Sequence, residues 1–441
     1  MLNHHKAILR LGIPITIGQL GVIIMGFADT MMVGRYSTDA LAAAAFVNSV
    51  VNLMMYFLMG YSYGLTPIIS SLFGQGRKKQ VGETLKQAIL CNILYALVLM
   101  AILGGVYIFL DRIGQPDELL PLIRPYYICT LISVLFVAIF NAVRQFTDGI
   151  TATSVGMWAL LASNAINIIG NYFLIYGIGP FPELGLLGAG LSTLFSRIVM
   201  ALIPVIVLLR RPAYQIYREG MRSVRLNKEC MKYINRQSLP ISLQMGMESA
   251  AFSFSGVMAG WLGAVELATF QVMVTIATLG FSVYYSFGAG VSISVATYYG
   301  MKDRENVRSA TRAGVHILLV LACCSSFVFF FFGESLIRIF TTDTAVIALA
   351  LSIIPPLILY QMGDAMQICF ANALRATSYV MPMMWIAFVS YVVVNLPAAY
   401  ILAFCCNMGI YGLFLAFSTG LFVAAALFFY SYRRVMRKTA V

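Results

Sequence analysis

Twelve stretches of 20 or more mostly apolar residues follow one another along this 441-residue chain, separated by short polar connections. They lie at approximately 11–33, 41–73, 85–110, 119–146, 152–178, 186–209, 238–260, 265–299, 308–333, 345–373, 378–404 and 409–430. A helix needs roughly 20 apolar residues to cross a bilayer. In lipid, every backbone N–H and C=O must be satisfied within the segment itself, so such a run becomes a helix. A transmembrane barrel would instead show short segments of alternating polarity. The expected fold is an all-α polytopic membrane protein of twelve helices. Only 10% of residues are charged and 60% are hydrophobic, which excludes a soluble enzyme. The second and eighth stretches are long and carry glycines (Gly60 and Gly64; Gly280, Gly288 and Gly290), so bent or tilted helices are expected there.

The net charge of +12 comes from 29 Lys and Arg against 17 Asp and Glu. On a soluble chain that excess would suggest nucleic acid. Here its placement decides otherwise. With the N-terminus inside, 24 of the basic residues fall on the cytoplasmic side, Arg144 and Arg375 among them, and four fall outside. Arg197 alone is read within a span. This is a strong positive-inside bias, with both termini cytoplasmic. The basic residues fix orientation, and no nucleic-acid partner is expected. The opening residues, with His4, His5, Lys6 and Arg10, show no cleavage site, so no signal peptide is read. The eight cysteines show no zinc or disulfide spacing and read as small apolar core residues. There is no phosphate loop, no His-Glu-x-x-His, and no loop large enough to house an enzyme domain.

The two halves repeat. At an offset of 226, Pro14-Ile15 matches Pro240-Ile241, Gly34 matches Gly260, and Leu41-Ala42 matches Leu267-Ala268. Asn141-Ala-Val-Arg144 resembles Asn372-Ala-Leu-Arg375 at an offset of 231. Asn171, Tyr176, Gly185 and Gly188 meet Asn395, Tyr400, Gly409 and Gly412 at 224. Each half carries six spans, an even number, so the halves share one orientation. They should be related by a two-fold axis along the membrane normal, a frame suited to alternating access. The division is read as an N-terminal lobe at 1–209, a cytoplasmic basic linker at 210–236 and a C-terminal lobe at 237–441.

Three acids stand out because they are not in loops or at span ends: Asp29, Glu248 and Asp364. A carboxylate at a helix centre costs about 2.5–3.5 kcal/mol even on the lenient insertion scale, so it usually serves ions or protons. Glu248 lies about ten residues into span 7, and Asp364 lies eleven residues before Arg375 at the end of span 10. At 1.5 Å per residue, both sit roughly 15 Å from the same surface. They can share one Na⁺ or H⁺ only if spans 7 and 10 face each other. Tyr360, one turn before Asp364, either serves that site or satisfies a helix interface. Asn164, Asn167 and Asn171 share one face of span 5, lining a cavity or bonding a neighbouring helix. Pro14 and Pro240 occupy equivalent places in spans 1 and 7, as hinges or static kinks.

These motifs resemble the multidrug and toxic compound extrusion (MATE) family. The carriers are Pro14 with Gly26-Phe-Ala-Asp29-Thr-Met-Met-Val-Gly34-Arg35; Asn167-Ile-Ile-Gly-Asn171-Tyr-Phe-Leu-Ile-Tyr176; Pro240 to Glu248; and Tyr360-Gln361-Met-Gly-Asp364 through Arg375. The resemblance spans about 7–430. It implies two V-shaped six-helix lobes that export cationic, amphipathic drugs and toxins across the inner membrane against Na⁺ or H⁺. In the NorM-like branch it places the cation between residues matching Glu248 and Asp364, with Tyr360 as a nearby ligand. In the DinF-like branch the emphasis falls on positions matching Asp29 and Asn167. A second aspartate of that pattern is Asn171 here, which argues against a purely N-lobe proton mechanism and favours a C-lobe cation site, with Asp29 as a second, proton-linked coupling site. Gln361 joins the three asparagines as a polar cavity group. The expectation is a monomeric antiporter in membrane lipid, with small-molecule cations as substrates and no cofactor beyond the coupling ion. The alternatives are a lipid-linked oligosaccharide flippase of the same two-lobe architecture, and a membrane-embedded enzyme.

Overall fold

The structure, a computed structural model, describes residues 2–112, 114 and 116–438. They form helices joined by short connections, with no strand among them. The first six spans are Leu2–Tyr36, Thr38–Gly74, Lys78–Ile108, Leu120–Gly149, Ser154–Tyr176 and Gly185–Arg210. The next three are Lys228–Leu262, Ala264–Gly300 and Arg304–Phe340. Span 10 is the pair Thr344–Ser352 and Ile354–Ala376, span 11 runs from Met381 to Cys405, and span 12 is Gly409–Lys438. Ten of these are each long enough, and apolar enough over part of their length, to cross a membrane, and span 10 is so as a pair bent by 53°. Span 7 is long enough at 35 residues, but Gln237, Ser238, Gln244 and Glu248 make it the least apolar.

Span 10 breaks immediately before Pro355-Pro356, as proline removes a donor and clashes with the preceding turn. Span 2 breaks at Gly64, where a side chain would run into the backbone of Ser238. Span 8, by contrast, continues unbroken through its glycines. Those glycines serve close packing: a Cβ at Gly280 would lie 2.6 Å from the Gln361 amide oxygen, and one at Gly288 would lie 2.6 Å from Ile368.

The chain forms two compact units. One is Ile17–Ser242; the other is Met1–Thr16 together with Leu243–Val441. The junctions, after residues 16 and 242, stand at the repeat offset of 226 and two residues beyond Pro14 and Pro240. Residues 2–16 belong to the second unit through contacts such as His4 against Tyr298 (5.4 Å between ring centres). Its core gathers Met273, Ile276, Leu357, Tyr360, Tyr391, Leu413 and Phe417. In the first unit, the basic stretch is structured. A short helix, Gln215–Ser223, presses Gly220 against the Lys79 carbonyl, and Gly82 of span 3 receives the Tyr217 carbonyl. Arg218 donates to the Leu208, Leu209 and Arg211 carbonyls that end span 6.

Two sequence expectations are corrected, and one acid at a span end proves to be buried. Asp148 is 4% exposed in the last turn of span 4, 3.6 Å from the Arg144 guanidinium. The helix outruns its apolar stretch, and its end is covered by Gly156 and Ile69. Arg144 and Arg375, counted as cytoplasmic, are likewise buried within helices, so Arg197 is not alone. Only Cys91, Cys129 and Cys369 are core residues; Cys323, Cys324, Cys405 and Cys406 face outward as apolar surface.

Candidate functional site

Spans 7 and 10 meet face to face in the second unit. Phe252, one turn beyond Glu248, meets Tyr360, one turn before Asp364, with ring centres 6.2 Å apart and planes at 82°. Phe417 of span 12 stacks on Phe252 at 4.4 Å and meets the edge of Tyr360. This aromatic cluster pins the two helices at one level. One turn deeper, Glu248 and Asp364 come within electrostatic reach of each other. The condition that the sequence left open, that these two spans face one another, is met.

The surroundings of the pair are polar and enclosed. Asp364 is 1% exposed, and its Oδ2 has no hydrogen-bond partner in the protein. Both amide atoms of the fully buried Gln361 are also unpartnered. Tyr391 of span 11 is buried with its hydroxyl beside the Glu248 carboxylate. Arg375, 4% exposed, acts on Glu248 from the next turns of span 10, held by the Tyr285 hydroxyl at 3.2 Å and Asn372 Oδ1 at 3.4 Å. With two carboxylates and one guanidinium ionised, the cluster carries one net negative charge. That suits one monovalent cation, with carboxylate, amide and phenol oxygens as the available donors. Among the described residues, no group of three or more His, Cys, Asp or Glu could hold a metal ion together.

Sequence reasoning passed over Tyr391, because tyrosine is common throughout the chain. The repeat contained the signal. At the offset of 224, Tyr391 and Asn395 stand where Asn167 and Asn171 stand in the first half. Span 11 is wound with i→i+5 hydrogen bonds over Phe388–Asn395, and Ser390, Tyr391 and Asn395 are all buried there. Such winding is rare and tends to mark functional segments.

The first unit builds a different cluster, in which Ser133, Asn167 and Asn171 occupy the positions equivalent to Asp364, Tyr391 and Asn395 but the charged residues do not. Asn171 Nδ2 donates to Asp29 Oδ1 at 2.5 Å. Asn167 Nδ2 reaches Thr193 Oγ1 at 3.3 Å, and the Asn167 backbone carbonyl accepts from the Ser192 hydroxyl. Asn164 is buried with its amide nitrogen unpartnered, beside Gly21. Arg197 donates to Ser133 Oγ at 2.6 Å and acts on Asp29. Ser133 is the counterpart of Asp364 at the offset of 231. With Asp29 and Arg197 both ionised, this cluster is neutral. Asp29 belongs to the first unit, with Asn164, Asn167 and Asn171, and Glu248 and Asp364 belong to the second.

The sequence model of the MatE family matches residues 14–173 and 240–401, beginning in each half at the paired prolines. The chain belongs to the MatE family. Its fold is shared with MatE structures: one titled "Crystal structure of MATE in the bent conformation" superposes with a TM-score of 0.90 at 20% identity, covering 99% of this chain and 96% of that one. The eukaryotic MATE transporter AtDTX14 superposes at 0.88 with 18% identity, covering 99% and 98%. In sequence, this MatE chain is 28% identical to "Multidrug resistance protein NorM" of Aliivibrio fischeri over 95% of this chain and 92% of that protein. It is 29% identical to "Probable multidrug resistance protein NorM" of Listeria monocytogenes over 98% and 95%. It is 27% identical to "Multidrug resistance protein MdtK" of Pectobacterium atrosepticum over 100% and 97%. A MatE protein is a multi-pass membrane transporter, not an enzyme.

Proposed function

We propose that this MatE protein is a secondary antiporter that exports cationic, amphipathic drugs in exchange for one Na⁺ or H⁺ bound at Glu248 and Asp364. The reading rests on one observation above all. Half-buried Glu248 and buried Asp364 come within electrostatic reach of each other, and the buried Arg375 acts on Glu248, so that with all three ionised one negative charge is left over. The names of its NorM and MdtK relatives support drug export. Tyr391 and Gln361 supply uncharged oxygens beside the acids; Tyr360 braces the two helices through its ring. Asp29, Asn167 and Asn171 line a polar patch for substrate, with Asp29 balanced by Arg197. The junctions beside Pro14 and Pro240 are where helices 1 and 7 pass from one unit to the other, which suits them as hinges. The excess of basic residues on one side, which persists without the buried Arg144 and Arg375, supports cytoplasmic termini, and the bacterial NorM relatives support the inner membrane.

The test is efflux of ethidium from membrane vesicles containing the protein, under an imposed Na⁺ gradient and, separately, an imposed pH gradient. One of the two gradients is expected to drive efflux. Translocation of lipid headgroups without drug efflux under either gradient would replace this reading with a flippase.

A further inference from the structure

A cavity of about 560 Å³ opens at the end of the second unit where span 9 begins and span 12 ends. It lies apart from the ion-site residues, and none of the transport reading uses it. Arg308, Arg312 and His316 line one wall at spacings of four on span 9, and Arg433 and Arg437 line the other on span 12. Like charges one turn apart on a helix repel, and two such rows face one cavity. Among the described residues, none of these four arginines forms an ion pair with a carboxylate. The walls are nonetheless held together. Thr311 and Tyr432 share a hydrogen bond of 2.9 Å between the two helices, and Arg304 donates to the Met436 carbonyl. The inner end of the cavity is apolar, with buried Phe370 and with Phe429 under the Arg433 guanidinium at 5.4 Å.

We infer that this cavity binds the phosphate headgroup of an anionic phospholipid. Arginine holds phosphate through paired N–H donors and is less strongly hydrated than lysine, so four guanidiniums suit a phosphodiester. The position at the span ends is the headgroup level of the bilayer, and clustered basic residues there attract anionic lipids. The apolar inner end admits the glycerol backbone and the start of an acyl chain, which a free phosphate ion would leave unused. A bound headgroup also relieves the repulsion between the two arginine rows.

The experiment is native mass spectrometry of the full-length protein titrated with phosphatidylglycerol, with phosphatidylcholine as the zwitterionic reference. Arg312→Gln with Arg433→Gln is expected to weaken phosphatidylglycerol retention by about 30-fold, two basic contacts' worth. Arg312→Lys with Arg433→Lys, which keeps the charge, is expected to retain most of the binding. Lys228→Gln with Lys232→Gln, two exposed cations of the other unit, is expected to change nothing. Equal retention by the wild type and the Arg→Gln pair would overturn the site. So would an equal loss in the lysine control pair, because the attraction would then be diffuse. Displacement of the lipid by inorganic phosphate or glycerol phosphate at matching concentration would overturn the lipid as the ligand.

Discussion

A carboxylate in the middle of a bilayer needs compensation within a few ångströms, and Glu248 and Asp364 compensate one another poorly. Arg375 offsets one charge, and the Tyr391 hydroxyl beside Glu248 offers a donor or an oxygen ligand. Tyr391→Phe keeps the ring and deletes only that oxygen. A hydrogen bond to a charged group is worth about 1.5–3 kcal/mol, so the substitution is expected to shift coupling-ion half-saturation by at least about tenfold, towards tighter binding for H⁺, because the lost donor favoured ionised Glu248, and towards weaker binding for Na⁺, which loses an oxygen ligand. A titration of ion-driven ethidium efflux against ion concentration would measure it; an unchanged half-saturation would remove Tyr391 from the site. The two acids were readable from sequence because a charge among apolar residues has no ordinary explanation. Tyr391 was not, because a tyrosine in such a segment has several. Asp148 escaped for a different reason: an acid near the end of an apolar run reads as an exposed span-end acid until the helix is seen to continue and be covered.

At the level of elements, the positions of the spans followed from hydropathy, and the break in span 10 followed from Pro355-Pro356. Glycine was ambiguous. Gly64 ends a helix, whereas Gly280 and Gly288 sit inside an intact one and make room for Gln361, Ile368 and Asn372. Sequence cannot separate these uses, because the deciding fact is what packs opposite. The winding of span 11 was equally hidden, since no residue type specifies an i→i+5 turn. The short helix Gln215–Ser223 gives an element-scale test. A side chain at Gly220 would collide with the Lys79 carbonyl, so Gly220→Leu is expected to destabilise the first unit by about 1–3 kcal/mol, an overpacking cost. Thermal unfolding in detergent would show a lower midpoint; an unchanged midpoint would mean that this helix does not brace span 3.

For the molecule as a whole, the repeat sets two clusters on equivalent helices and gives them different charge. With their acids and arginines ionised, the Glu248–Asp364–Arg375 cluster carries one net negative charge and the Asp29–Arg197 cluster carries none. If one monovalent cation neutralises the first, exchange for a singly charged drug moves no net charge. The membrane potential, worth about 2.3 kcal/mol per charge per 100 mV, then drops out of the driving force. Collapsing the potential with valinomycin and K⁺ at a constant ion gradient is expected to leave ethidium efflux unchanged. A several-fold fall would require a second ion per cycle. The central claim, that the coupling ion is held by Glu248 and Asp364, is tested most directly by ion-driven ethidium efflux from vesicles carrying Glu248→Gln, Asp364→Asn or the wild-type protein at matched abundance. Loss of gradient-driven efflux in each single variant is the result expected here; full transport by both would contradict it.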